Sequence, residues 1–190
     1  MAWKRFPVPT FDYAPLKGRA YERPAAISSD EAQKIIDGVA NGQADLAGAY
    51  FVEPDPALLG SLDFRGDFQD MAMCVLPGTG ARLVGNSYAW FNQRAFILDG
   101  NSPDANTLFN WRTPRPMNTL LGPEEGVTLE HQVVFLLSGR IVSDYTRGNR
   151  VMVDDAWSAP EGRAGFRVIA ACNEGEDNFH ESCFEFSWAV

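Results

Sequence analysis

From residue 70 to the C-terminus, short apolar segments alternate with clusters of turn-forming residues, and this alternation restricts the fold more than any other feature of the chain. The segments are about 6–10 residues long. Gly, Pro, Asn and Asp separate them, as in Pro77-Gly78, Asp99-Gly100-Asn101 and Pro160-Glu161-Gly162. No helical periodicity lies between the segments, which disfavours a parallel α/β fold. The pattern predicts a mainly β chain of about eight strands, arranged as an antiparallel β-sandwich or a jelly-roll-like barrel.

Two of these segments predict core strands from the alternation of their side chains. Residues 183–190 alternate aromatic with small or polar side chains up to the last residue, which is typical of a strand with one buried face. Residues 127–137 show a similar alternation and predict a single core strand, followed by a turn at Ser138-Gly139. His131 falls on the apolar face of that strand, so its ring is expected to be buried and satisfied by one hydrogen bond.

One α-helix is predicted near the N-terminus, at about residues 28–40. Ser28-Ser29-Asp30-Glu31 matches a capping box, in which the Ser and Glu side chains bind the backbone at the start of a helix. Apolar residues follow at helical spacing, and Asn41-Gly42 ends the pattern. Residues 44–70 are predicted to be loops with short elements, because Pro and Gly interrupt them repeatedly.

Residues 1–27 are predicted to be an extended N-terminal arm, distinct from a single β-rich domain over residues 28–190. Four prolines exclude a continuous helix in the arm. Its net charge is +3 and that of the remaining chain is −12, since the whole chain carries −9. The arm is expected to dock either on its own sheet or on the acidic body of a neighbouring subunit. The side chains expected to make this contact are Trp3, Lys4, Arg5, Phe6, Phe11, Tyr13, Lys17, Arg19, Tyr21 and Arg23.

The composition limits the partners and the location of the protein. The 25 acidic and 16 basic residues give a pI near 4.7, so direct binding of nucleic acid is not expected. The N-terminus lacks the apolar run of a secretory signal, and no run approaches the roughly 20 residues that span a bilayer. We therefore expect no signal peptide, no membrane insertion, and a place in the cytoplasm or in a virus particle. Cys74, Cys172 and Cys183 are too few for a disulfide scaffold and are expected to be reduced.

Motifs for catalysis or metal binding are weak. Gly78-Thr79-Gly80 lacks the third small residue and the following helix of a dinucleotide-binding fingerprint. His180 lies in the acidic loop 173–181, between Cys172 and Cys183, but this spacing differs from that of structural zinc sites. Whether the loop binds a metal is left open. The sequence predicts no catalytic residue, no metal site and no cofactor.

Three tryptophans near polar loops form a candidate ligand surface. Trp90, Trp111 and Trp157 lie close to loops that are rich in Asn, Asp and Arg. Aromatic rings beside amide and carboxylate groups bind sugars, but they also form subunit interfaces and pack into cores at strand ends.

The leading functional hypothesis is a non-enzymatic assembly protein. It would form homo-oligomers, or bind other subunits of an assembly, through its N-terminal arm. A phage or virus particle component, such as a capsid, decoration or tail subunit, would fit this description. The alternative is a carbohydrate- or small-ligand-binding β-sandwich module that uses one of the three tryptophans. A third hypothesis is a hydrolase that uses loop carboxylates or His180, although the sequence places no two acids locally in the facing arrangement that such chemistry needs.

Overall fold

The structure is a computed structural model of the chain. It describes residues 24–66, 69–87, 91–101, 107–113, 119–123, 125–154, 157–171 and 182–190. The fold is mainly β, with two sheets and an N-terminal helix, which confirms the predicted fold class. No helix in these ranges is both long enough and apolar enough to cross a membrane.

Among the described residues, two α-helices precede most of the strands. Helix α1 (Ser29–Ala40) begins at the predicted capping box: the Ser28 side chain accepts from the Glu31 N–H, and the Glu31 carboxylate accepts from the Ser28 N–H. Helix α2 (Pro56–Ser61) begins at Asp55, whose carboxylate accepts from the Ala57 N–H. It lies in the segment for which the sequence predicts only short elements.

Over the residues that the structure describes, the first sheet has seven strands and the second has six. The first sheet consists of β1 (Gly48–Val52), β2 (Phe64–Arg65), β3 (Met71–Val75), β5 (Gln93–Asp99), β6 (Thr107–Arg112), β9 (Val133–Val142) and β10 (Tyr145–Gly148). The second sheet consists of β4 (Ala81–Ser87), β7 (Thr119–Leu121), β8 (Val127–Leu129), β11 (Arg150–Asp154), β12 (Arg163–Ala171) and β13 (Ser182–Ala189). The named strands pair in antiparallel fashion, except that β2 runs parallel to β10.

The main core lies between the two sheets. Strand β13 contributes Phe184 and Phe186, and the latter stacks on Phe166 of β12 with 5.0 Å between ring centroids. Strand β9 faces them with Val134 and Leu136. The alternation along β13 was predicted, because a strand buried on one face must place every second side chain inward.

A second core lies on the opposite face of the first sheet, where the helices cover it. Val39 of α1 and Leu58 and Leu59 of α2 are buried there with the outward-facing side chains of β3 and β9. Strand β9 is therefore apolar in both phases of its alternation, because both of its faces are covered. The helices leave the end of the sheet near the β9–β10 hairpin uncovered, and the candidate site lies at that end.

The predicted single strand over residues 127–137 is wrong. Strand β8 ends at Leu129 in the second sheet, and β9 begins at Val133 in the first. The chain changes sheets between them, so His131 is a half-buried loop residue rather than a core residue. Its Nε2 lies 3.7 Å from Oδ2 of Asp99. Apolar residues occupy the odd-numbered positions of both strands up to residue 137, so the two strands resemble one continuous strand across the crossover.

The predicted turn at Ser138-Gly139 is also wrong. Both residues lie inside β9, and Gly139 pairs with Arg94 on one side and with Gly148 on the other. A Cβ atom at position 139 would lie 2.5 Å from the Arg147 carbonyl oxygen and 2.6 Å from Cγ2 of Thr146. This glycine therefore permits close strand packing rather than a change of direction.

Candidate functional site

A cleft with a volume of about 170 Å³ opens on the outer face of the first sheet, beyond the helices. We call it the arginine cleft. Three parts of the chain form it: the β5–β6 ladder, the turn between β9 and β10, and the segment between α2 and β2. Its lining residues are Asp63, Arg94, Arg112, Ile141, Ser143, Asp144, Tyr145 and Thr146.

Arg94 is held in place by three contacts. Its guanidinium carbon lies 4.3 Å from the centroid of the Phe96 ring, two residues further along the same face of β5. Its Nε donates to Oδ1 of Asn110 at 3.1 Å, and one terminal nitrogen lies 3.5 Å from the hydroxyl oxygen of Thr146. Because stacking and hydrogen bonds fix the plane of the group, little side-chain entropy remains to be lost when a ligand binds.

Arg112 lies beside Arg94. The β5–β6 register pairs these two residues directly, so both side chains leave the same face of the sheet. Arg112 is exposed, whereas Arg94 is partly buried. The cleft therefore has one fixed and one accessible guanidinium, with several N–H donors between them.

The opposite wall is the turn that joins β9 to β10. Val142 pairs with Tyr145, which leaves Ser143 and Asp144 as a two-residue loop. Ser143 adopts a positive φ of 35°, as tight hairpin turns require. This geometry places a hydroxyl, a carboxylate and an aromatic ring at the rim of the cleft.

Asp63 supplies the remaining acidic group. It adopts a φ of 63° between α2 and β2, and its carbonyl oxygen accepts from the Thr146 N–H at 3.0 Å. Its carboxylate lies 3.2 Å from a terminal nitrogen of Arg65. The cleft thus combines guanidinium donors, carboxylate acceptors and hydroxyl groups that can do both, a set suited to a ligand rich in hydroxyl groups.

A buried polar cluster lies behind the cleft, between the two sheets. The Asn149 side-chain nitrogen donates to Oε1 of Gln93 at 3.1 Å and to the hydroxyl of Ser138 at 3.0 Å. Nε2 of Gln93 and Oδ1 of Asn149 are buried, and neither has a hydrogen-bonding partner in the described part of the chain. Exchanging the amide oxygen and nitrogen of both side chains reverses their mutual bond but still leaves one donor and one acceptor unpaired.

The outer face of the second sheet carries a buried charged row. Neighbouring strands place Asp154, Arg167 and Glu185 side by side. Nε of Arg167 donates to Oδ2 of Asp154 at 2.9 Å, and a terminal nitrogen of Arg167 lies 3.9 Å from Glu185. Burial raises the pKa of Glu185, while the charges of Arg167 and Arg82 act in the opposite direction. Because Asp154 and Arg167 are buried and paired with each other, we regard this row as structural.

The predicted interaction arm and one of the predicted tryptophans fall outside the described residues. The ten arm residues from Trp3 to Arg23 belong to this group, as does Trp90. Their proposed roles stay predictions. The structure does show that residue 27 belongs to the body, because the Ile27 N–H donates to the Phe51 carbonyl at 3.0 Å and Ile27 forms a β-bridge with Val52.

The other two predicted tryptophans are described: Trp111 lies in β6 of the first sheet, and Trp157 follows β11 of the second. Trp111 is half-buried and packs against the inter-sheet core, where a Cβ atom at Gly122 would lie 2.8 Å from its ring. This contact gives Trp111 a packing role, while its role in ligand binding stays a prediction. Trp157 comes shortly after β11 ends at Asp154, and its backbone nitrogen lies 3.5 Å from the Asp154 carbonyl oxygen.

The possible zinc ligands cannot be placed as a set. Cys172 and His180 lie outside the described residues, and Cys183 is buried in β13. Among the described residues, no three His, Cys, Asp or Glu side chains come together in a way that would hold a metal ion.

The sequence did not single out the residues that line the cleft. Arg94, Arg112 and Asp144 belong to none of the motifs found in the sequence. Along β6, alternation places Arg112 in the same phase as Asn110, but along β5 Arg94 shares its phase with the apolar residues Phe96 and Leu98, so the pattern does not mark Arg94 as accessible. Their pairing depends on strand register, which one sequence does not specify.

Comparison with known proteins found no matching protein-family model and no matching curated protein. Two lectins are similar among solved structures. The C-terminal domain of the BC2L-C lectin from Burkholderia cenocepacia is 10% identical, covers 65% of this chain and 99% of that domain, and has a TM-score of 0.48. The Chromobacterium violaceum lectin CV2L, solved with α-methyl-fucoside, is 10% identical, covers 62% of this chain and 96% of its own, and has a TM-score of 0.47.

Both of these structures are lectins. Their TM-scores are below 0.5, so the likeness carries no conclusion about the ligand of this chain. The functional proposal below therefore depends on the geometry of the arginine cleft.

Proposed function

We propose that this chain is a binding module for a carbohydrate or a similar polyhydroxylated small molecule, and that the ligand binds in the arginine cleft. The observation that carries the proposal is the convergence of both kinds of hydrogen-bonding group on one open site. Arg94 and Arg112 donate, Asp63 and Asp144 accept, and the hydroxyl of Ser143 can do either.

Sugar hydroxyl groups need both kinds of partner, because each can donate one hydrogen bond and accept others. A hydroxyl that accepts from a guanidinium and donates to a carboxylate forms two charge-assisted bonds, which are stronger than bonds between neutral groups. The cleft offers both partners across its width. Tyr145 also lines the cleft, and the guanidinium carbon of Arg65 lies 5.5 Å from the centroid of its ring.

The volume of the cleft supports a small ligand. At about 170 Å³, it is smaller than the roughly 300–1,000 Å³ of pockets that enclose drug-sized molecules. It would accommodate one sugar unit, or the end of a longer chain that continues into solvent. Because Arg94 is already fixed by Phe96 and Asn110, binding would not have to order that side chain.

A glycan array followed by calorimetric titration of the best ligand tests this proposal. We expect Arg94→Gln and Asp144→Asn each to weaken binding by about tenfold, since each removes a hydrogen bond that involves a charged group. Arg82→Gln is the matched control, because Arg82 is an exposed arginine on the second sheet. Affinity unchanged in both cleft variants, or no glycan bound at all, would contradict the proposal.

The tryptophan surface predicted from the sequence requires a separate comparison. Trp157→Phe removes the indole of the described tryptophan that does not pack in the inter-sheet core. We expect this variant to retain the affinity of the unmodified chain. Loss of binding in Trp157→Phe, together with retention in Arg94→Gln, would move the site away from the cleft and overturn its assignment.

A further inference from the structure

Arg94 and Arg112 place two like charges opposite each other on neighbouring strands. Such cross-strand pairs destabilise a sheet. Within the described part of the chain, neither arginine has a carboxylate oxygen within the 4.0 Å of an ion pair. The two charges are therefore brought together without a direct counterion.

The two carboxylates of the cleft do not act as counterions between Arg94 and Arg112. The carboxylate of Asp63 is bound by Arg65, which lies outside the cleft lining. Asp144 is exposed at the tip of the hairpin. Neither acid comes between the two guanidinium groups at ion-pair distance.

The environment of Arg94 agrees with this geometry. Burial lowers the pKa of Arg94, the charge of Arg112 lowers it further, and Asp63 partly opposes both effects. A lowered arginine pKa means that the surroundings stabilise the positive charge less well than water does. A bound negative group would remove this deficit.

We propose that the ligand of the arginine cleft carries an oxyanion, which binds between Arg94 and Arg112. This inference rests on the proposed function, and it narrows the ligand to an acidic saccharide. The negative group is a carboxylate, as in a uronic acid, or a sulfate or phosphate ester. Planar guanidinium groups match the oxygens of such groups in paired hydrogen bonds.

Matched sugars test the charge requirement directly. The chain is titrated with glucose, glucuronate and glucose 6-sulfate, and with inorganic phosphate, while sodium chloride keeps the ionic strength constant. The Nε–H signals of the arginines are followed by NMR. We expect saturable shifts at Arg94 and at least tenfold tighter binding of one acidic sugar than of glucose. Comparing the carboxylate with the sulfate identifies the preferred oxyanion.

Arg112→Gln provides a second test, which combines a melting temperature without ligand and an affinity for the acidic sugar. We expect this variant to unfold at a higher temperature than the unmodified chain in chloride, because the repulsion is gone, and to lose about tenfold in affinity for the acidic sugar. Arg82→Gln, the control on the second sheet, should keep that affinity. A melting temperature that falls in Arg112→Gln, with acidic-sugar affinity unchanged, would overturn the inference.

The possible outcomes separate this inference from the proposed function. Equal affinity for glucose and both acidic sugars overturns the oxyanion inference and leaves a neutral carbohydrate site. Saturable binding of phosphate without binding of any sugar supports the oxyanion site and overturns the carbohydrate function. The absence of any saturable shift at Arg94 overturns both.

Discussion

Two of the three cysteines are buried so deeply that their chemistry is suppressed. Cys74 lies in the inter-sheet core and Cys183 in the interior of β13, and both are fully buried. Burial raises the pKa of the Cys74 thiol, and it is also the main cause of the raised pKa of Cys183. The thiolate is the reactive form of cysteine, so both residues should be inert in the folded protein.

A thiol-counting experiment checks this expectation. In Cys172→Ser, which removes the cysteine outside the described residues, we expect a colorimetric thiol reagent to label no cysteine in buffer and both Cys74 and Cys183 in denaturant. A rapidly labelled thiol in the folded variant would contradict the burial of these side chains.

The buried amides between the sheets predict a coupled effect on stability. Asn149→Ala should lower the free energy of unfolding by about 1–3 kcal/mol, because Oε1 of Gln93 loses its better partner. Gln93→Met should cost less, because it also removes the unpaired Nε2 donor. The cost of the double variant should differ from the sum of the single costs by more than about 0.5 kcal/mol. Urea unfolding measures all three, and additive costs would show that the two amides act independently.

At the level of single elements, the charged row on the second sheet combines two carboxylates with different roles. Asp154→Asn should reduce the stability at neutral pH by on the order of 3 kcal/mol, because it removes a close partner of the buried Arg167. Thermal or urea unfolding at pH 7 measures this cost. An unchanged free energy of unfolding would mean that the other contacts of Arg167 are enough to stabilise its buried charge.

Glu185 should behave in the opposite way. Its pKa is raised by burial, so folding favours the protonated form, and the stability that this form contributes is lost as the pH rises through the folded-state pKa. Glu185→Gln should therefore be more stable than the unmodified chain at pH 7. The gain should shrink as the pH falls towards and below the ordinary value of 4.5. Unfolding curves measured at intervals of about one pH unit between pH 3 and pH 8 test this expectation. A gain in stability that grew as the pH fell would contradict it.

Gly139 tests how tightly the β9–β10 pair must close to form the cleft. Gly139→Ala places a Cβ atom against the Arg147 carbonyl and Thr146, and we expect a loss of about 1–3 kcal/mol together with weaker ligand binding. Gly60→Ala is the control, because a Cβ atom at this position in α2 contacts nothing within 4 Å. It should be neutral or stabilising by up to about 1 kcal/mol. Equal effects of the two substitutions would show that position 139 is not crowded.

At the scale of the whole molecule, the N-terminal arm remains a proposal about assembly. The arm is basic and the rest of the chain is acidic, so we expect the full chain to form a defined oligomer at low salt and to dissociate as salt screens the attraction. A chain beginning at Pro24 should be monomeric. It keeps Ile27, which bridges to Val52. Light scattering measures the mass of each chain in solution. A monomeric mass for both the full chain and the shortened chain would contradict the assembly role.

The sequence by itself determined the elements whose physical cause is local. The capping box at Ser28 sets the start of α1, because its donors and acceptors lie within three residues of one another. Strand β13 follows from alternation, because successive side chains in a strand must point to opposite faces. The short apolar segments and the turn residues that separate them likewise led to a mainly β fold.

Only the tertiary structure decided which residues share a face and which sheet each strand belongs to. The alternation over residues 127–137 is the same whether one strand continues or the chain changes sheets, so periodicity could not place His131. Arg94 and Arg112 are 18 positions apart, and they meet through the register of β5 with β6. Strand register depends on packing and hydrogen bonds across the whole sheet, and for that reason the cleft could not be predicted from local pattern.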